Sequence, residues 1–225
     1  MNIHLKHLFY DIHSHKTQNN KDVWQLNNLT LPKDTIDSIY FLNQPVSVGY
    51  HPWFLQENNY QTHLQLLEEL AQNDKVWAIG ETGLDKVVRT DFLLQLKVFQ
   101  KHIAISEETK KPLIIHCVKA YSEVLSLHKQ LRPTQKWLIH GFGANKQIAT
   151  QLQAKGIYLS FGEALFKRPQ LQEIFALSLP DYFLLETDNS NIAIEKVYEK
   201  AAQIREISLK ELQNQVKKNL CKFFG

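Results

Sequence analysis

The sequence predicts an α/β fold. Short apolar runs alternate with longer amphipathic stretches, and five of those runs stop at, or just before, a residue that can bind a divalent metal. The runs are Leu8–Ile12, Val46–Tyr50, Val76–Gly80, Leu113–Ile115, Trp137–Ile139, Ile157–Phe161 and Tyr182–Leu185, with Val23–Leu29 a weaker candidate. Near-continuous apolar segments of this length suit strands buried on both faces, as in parallel sheets.

Between the runs lie helical patterns. Within Tyr60–Gln72, Leu64, Leu67, Leu70 and Ala71 recur at helical spacing, and Phe92–Thr109 carries Phe92, Leu96, Phe99 and Ile103 on one stripe. Ala120–Gln130 and Lys146–Lys155 follow their strands in the same way. The segment Ile192–Gly225 reads as two helices, the second opened by Ser208 with Glu211 in the capping-box position. Right-handed crossovers turn such an alternation into a barrel or an open doubly wound sheet, and periodicity alone does not choose between them. Gln18–Asn43 shows no convincing long helix, so the first units are expected to be abbreviated.

The 225 residues suffice for a substantial core, and 44% hydrophobic with 22% charged residues is ordinary for a globular protein. No linker, low-complexity segment or close repeat marks a boundary, so one domain over residues 1–225 is expected. A net charge of +3 does not by itself argue for nucleic acid. Cys117 and Cys221 lie far apart and form no CxxC pair, which argues against a cysteine zinc site or a disulfide framework. No segment has the length of a signal peptide core or a membrane span, so the expectation is a cytoplasmic protein with neither a membrane association nor an obligate protein partner.

The chemistry gathers at the ends of the runs. The first leads to His13-Ser14-His15, the third to Glu81, the fourth to His116, the fifth to His140 and the last through Glu186-Thr187 to Asp188. The C-terminal ends of parallel strands are where α/β barrels place their active sites. Each residue has a plain alternative. A single histidine after a strand is more often a hydrogen-bonded core residue, Glu81 could cap a turn, and Asp188 could be an N-cap or an Asx-turn. Alternation along an extended chain lets His13 and His15 share a face and grip one cation. Together the six would be costly to bury without a partner, and a metal cluster supplies it. His51 also ends a strand, as a rim contact to substrate or as a turn residue. His4, His7, His63, His102 and His128 read as surface or packing residues, and Cys117 as a buried inert thiol.

The segments DIHSH (Asp11–His15), GYHPW (Gly49–Trp53), AIGETGLD (Ala78–Asp85), KPLIIH (Lys111–His116), LIHGF (Leu138–Phe142), LLETD (Leu184–Asp188) and NLCKFFG (Asn219–Gly225) stand in order over nearly the whole chain. In them the chain resembles the TatD-like metal-dependent hydrolases, TatD-type deoxyribonucleases of the amidohydrolase superfamily. The resemblance implies a TIM-type (β/α) barrel with two divalent cations, magnesium, manganese or zinc. It implies His13 and His15 on one metal, Glu81 shared, His116 and His140 on the second, and Asp188 as a ligand that also handles the proton of the attacking water. Asp188 and Glu81 are then the catalytic pair, and Asp11 supports the ligands.

The chain departs from the family pattern at Val118-Lys119, where an arginine and an acidic residue are common, at Gly143-Ala144, and at Asn189-Ser190-Asn191. The cage is complete while the loops that would meet substrate differ. The expected activity is phosphodiester hydrolysis by metal-activated water, with DNA a candidate substrate and Lys119 and His51 as substrate contacts. The alternatives are a deacylase or other amide or ester hydrolase on the same cage, and a non-catalytic metal-binding barrel.

Overall fold

The computed structural model of the protein describes residues 7–33 and 45–225. Eight strands form one sheet in chain order: β1 (Phe9–Ser14), β2 (Val23–Leu31), β3 (Val46–Tyr50), β4 (Val76–Asp85), β5 (Leu113–Val118), β6 (Trp137–Ile139), β7 (Tyr158–Phe161) and β8 (Phe183–Leu185). The helices of the described residues are α1 (Tyr60–Leu70), α2 (Phe92–Thr109), α3 (Tyr121–Leu131), α4 (Lys146–Gln153), α5 (Ala164–Lys167), α6 (Pro169–Leu177), α7 (Ile194–Arg205) and α8 (Leu209–Phe224). Adjacent strands pair in parallel, as β1 with β2, β3 with β4, β4 with β5 and β7 with β8. Next to β8, Asp188 bridges Ser14 of β1 in parallel. Parallel strands in chain order, with the first meeting the last, make the (β/α) barrel, and this settles the choice that periodicity left open.

The contacts divide the chain into two compact units, Met1–Asn27 with Ile139–Gly225, and Asn28–Leu138. In the first, Phe161, Phe175 and Phe183 pack in sequence, tilted and then edge to face, at centroid distances of 4.9 and 5.1 Å, and all three are buried. Tyr198 of α7 donates its hydroxyl to the Tyr10 carbonyl and accepts from the Tyr10 amide, which clamps that helix to β1. In the second unit, Val46, Val48, Ile79 and Ile114 fill the strand layer, and Phe99 of α2 packs edge-on against Trp137.

Local chemistry sets the boundaries. Asp91 caps α2 through the Leu94 amide, Asn145 caps α4 through the Ile148 amide, and Ser208 with Glu211 closes the expected capping box on α8. β4 and β5 run beyond the apolar cores seen in the sequence, through Asp85 and Val118, so Glu81 and His116 lie within strands and Glu81 caps no turn. Tyr182 belongs to a 3₁₀ turn ahead of β8. Helices α5 and α6 follow β7, where the sequence pattern marked nothing. His4 and most of the stretch after β2, where abbreviation was expected, lie outside the described residues. None of the described helices is long and apolar enough to cross a membrane.

His102 is a packing residue with a defined task. It is fully buried on α2, with Nδ1 2.8 Å from the Val98 carbonyl and Nε2 accepting from the Tyr50 amide at 3.0 Å. That accepting nitrogen holds the end of β3 only while the ring is neutral, and burial lowers the pKa to about 4. The unfolded chain, with an ordinary histidine pKa near 6.5, takes up the proton first. The contribution is therefore complete above about pH 6.5 and is lost as pH falls toward 4, by on the order of 3 kcal/mol. We expect the stability advantage of the wild type over His102→Gln, from urea unfolding at a series of pH values, to shrink by that order across this window. A gap independent of pH would show that the ring does not titrate as its burial dictates.

Candidate metal centre

In the first unit, His13 in β1, His15 just after it, His140 after β6 and Asp188 after β8 converge. His13 Nε2 lies 3.8 Å and His15 Nε2 3.5 Å from Asp188 Oδ1. The His13 ring stands 5.0 Å from that of His15 and 4.4 Å from that of His140, centroid to centroid. Ligand atoms of His13, His140 and Asp188 all lie within 4.8 Å of one another. A register irregularity on β1 between Asp11 and Ser14 brackets His13 and re-aims the strand end.

Backbone bonds hold the acid in place. The Asp188 amide donates to the His13 carbonyl at 2.9 Å, and the His15 amide donates to the Asp188 carbonyl at 3.2 Å. Asp188 takes a left-handed φ of 51°, which aspartate tolerates better than most residues. Helix α7 begins only at Ile194 with Ala193 as its N-cap, so Asp188 caps no helix. The loop beyond it is gathered by Lys16, whose Nζ donates to the carbonyls of Asn189 (2.7 Å) and Ser190 (3.2 Å) and to Asn191 Oδ1 (2.7 Å).

Two buried carboxylates brace this cluster. Asp11 accepts from Gln25 Nε2, the Thr187 amide and Thr187 Oγ1. Burial lifts its pKa to about 6 against the pull of those bonds. Glu186, unassigned by sequence reasoning, accepts from the Gly141 amide and from Ser160 Oγ, and its Oε1 lies 3.9 Å from His140 Nδ1. Burial lifts its pKa to about 7. A carboxylate behind a histidine fixes ring orientation and tautomer in metal sites. Its sequence signal is an acid two residues before Asp188, inside an otherwise apolar run.

In the second unit, Glu81 Oε1 lies 3.0 Å from both His51 Nε2 and His116 Nδ1, and ligand atoms of these three also fall within 4.8 Å. His51 Nδ1 accepts from the Trp53 amide, so its Nε2 carries the proton toward Glu81. His116 Nε2 meets Asp85 Oδ2 at 2.9 Å. The motif explains the geometry. Glu81, Gly83 and Asp85 alternate along β4 on one face, and Gly83 is the register partner of His116 on β5. A Cβ at Gly83 would sit 2.1 Å from the His116 carbonyl oxygen, at a φ of 141°. Only glycine lets β5 come this close, and the imidazole then spans the two acids. Burial would raise the Asp85 pKa, but hydrogen bonds from Trp53, His116 and the Val87 amide hold it below the ordinary value.

His51, expected as a rim contact or a turn residue, caps the turn at Pro52 and is buried against Glu81, while Lys119 stands at the turn after β5 with a φ of 54°. Cys117 is buried beside His116, its thiol pushed up to about 12 by burial, in keeping with an inert role. Sets of two imidazoles and a carboxylate match the donors of zinc, manganese or iron sites, and the residues fit divalent cations.

A parallel barrel with imidazole and carboxylate clusters at its strand ends defines a metal-dependent hydrolase. The chain belongs to the family described as TatD related DNase, whose profile matches residues 15–225. A metal-dependent hydrolase of Buchnera aphidicola is 34% identical over 151 residues, which are 65% of this chain and 56% of that one. The metal-dependent hydrolase YabD of Bacillus subtilis is 27% identical over 195 residues, 79% of this chain and 76% of its own. Among solved structures, the TatD homolog YjjV of Escherichia coli superposes with a TM-score of 0.84 at 18% identity, covering 96% of this chain and 98% of that one.

The Lys16 ammonium ties the loop after Asp188 to the segment after β1. We expect Lys16→Met to raise amide hydrogen exchange across residues 189–192 while β1 stays protected. Unchanged exchange there would show that the loop is held without the ammonium.

Proposed function

We propose that the protein hydrolyses phosphodiester bonds, with DNA the candidate substrate, and that its two clusters hold two divalent cations. The imidazole and carboxylate side chains gathered at strand ends within each unit carry this reading, and membership of a family described as DNases supports it. His13, His15, His140 and Asp188 would serve one cluster, and Glu81 and His116 the other, with the His51 Nε2 proton directed at Glu81. Imidazole-rich donor sets suit zinc better than magnesium, and the carboxylates also admit manganese. Divalent cations in such a site lower the pKa of a coordinated water and neutralise charge on phosphoryl oxygens.

The chain's own residues do the rest. The Asp188 side chain is 41% exposed, so it meets water while its Oδ1 faces His13 and His15. It takes the proton from the water that attacks phosphorus, in line with the departing oxygen. Glu81 is held 3.0 Å from two imidazoles, and Glu186 steadies His140. Lys119 is assigned to the phosphate in place of the family's arginine. A reducing, cytoplasmic setting is part of the proposal, since Cys117 and Cys221 are both unpaired thiols.

Metal-stripped protein should cleave a single-stranded oligonucleotide only after manganese, zinc or magnesium is restored. Asp188→Asn, which suits the left-handed backbone, should lower turnover by about a hundredfold or more while leaving the thermal midpoint near that of the wild type. Full activity in that variant would remove Asp188 from the mechanism. Stoichiometric metal binding without cleavage by any of the three would overturn the phosphodiester assignment.

A further inference from the structure

Tryptophan buries most of its surface in most proteins, and Trp24 and Trp137 do so here. Trp53 leaves 54% of its surface open. Its ring is nonetheless fixed. The indole Nε1 donates to Asp85 Oδ2 at 2.7 Å, and the same oxygen meets His116 Nε2. The Trp53 amide donates to His51 Nδ1 at 3.1 Å. The ring stands perpendicular to those of His51 and His116, with centroids 4.9 and 5.7 Å away. Asp85 Oδ1 also accepts from the amide of Val87, itself 62% exposed. One buried carboxylate therefore ties an open indole and an open valine to the metal-binding cluster of the second unit.

A donor to Asp85 needs no exposed ring, and the open face is available to a ligand. A rigid aromatic face is prepaid in entropy and binds flat groups at little cost. We propose that Trp53 is the stacking platform for an unpaired nucleobase of a strand whose phosphate lies at the Glu81–His116 cluster. This rests on the phosphodiesterase reading above. A nucleic acid carries one flat π-surface per phosphodiester, and stacking accepts every base without reading its sequence. A paired base hides both faces in the duplex, so the platform selects single strands or frayed ends.

The test compares a short oligothymidylate with an abasic phosphodiester of the same length, in the wild type, Trp53→Phe and Trp53→Ala. Trp53→Phe keeps a ring and loses the donor to Asp85, whereas Trp53→Ala loses both. The wild type should show a KM roughly tenfold or more lower for the oligothymidylate than for the abasic strand. That ratio should largely survive in Trp53→Phe and fall toward one in Trp53→Ala. Equal KM values in the wild type, or kcat losses alike in both variants on both substrates, would overturn the platform and leave Trp53 a donor to Asp85. Binding supplies an independent reading in the slow Asp188→Asn background. Oligothymidylate should quench tryptophan fluorescence there, and adding Trp53→Phe should remove that quench. Quenching without cleavage by the wild type would overturn the phosphodiesterase reading while the platform stands. Cleavage without Trp53-dependent quenching, or quenching by aromatic peptides in its place, would overturn the platform.

Discussion

The first cluster depends on a backbone exchange between β1 and Asp188. The Asp188 amide binds the carbonyl of His13, and its carbonyl takes the amide of His15. Three candidate ligands are thus set relative to one another by two main-chain hydrogen bonds, before any side chain takes part. The same contact closes the sheet, so the barrel and the cluster form together. Thr187 extends the constraint inward, since its hydroxyl binds both Asp11 and Ser14 Oγ. A slip of one residue along β1 would turn His13 away and separate the pair. Closure therefore specifies the register that the chemistry needs.

The second cluster is built by a different device. A missing side chain at Gly83 brings β5 so close to β4 that His116 lies between Glu81 and Asp85. A register irregularity between Ile79 and Thr82 precedes it and sets the aim of Glu81. The Glu81 amide is in turn held by Asn28 Oδ1, which also accepts from Ser47. Buried polar groups in this number persist only when each bond supports the next.

The strands and six ligand candidates are legible in the sequence because both obey a local rule. Apolar runs mark buried parallel strands, and residues at their ends face the mouth of a barrel. Helices α5 and α6 are not legible in that way. They are short, and Pro169 breaks the period between them. Glu186 and Asp85 are not legible for a different reason. Each acts through a histidine distant in the chain, and register alone reveals the pairing. In retrospect the ETGLD spacing holds the clue, with two acids straddling a glycine on one strand face. His51 shows the converse limit. Its place at a strand end is plain in the sequence, but its burial against Glu81 depends on the turn through Pro52 and Trp53.

The clusters differ in their access to water, and this bears on how work is divided between them. His51, Glu81 and His116 are nearly enclosed, whereas Asp188 and His15 are open to solvent. A proton acceptor must exchange with water on every turnover, so the open acid is suited to that task and the enclosed one is not. An enclosed carboxylate between two imidazoles is suited instead to holding charge in fixed positions, where a low dielectric strengthens every interaction. Asp85 adds to this rigidity because its partners keep it ionised despite burial. On the proposed reading, the enclosed carboxylate holds charge in place and the open one moves the proton.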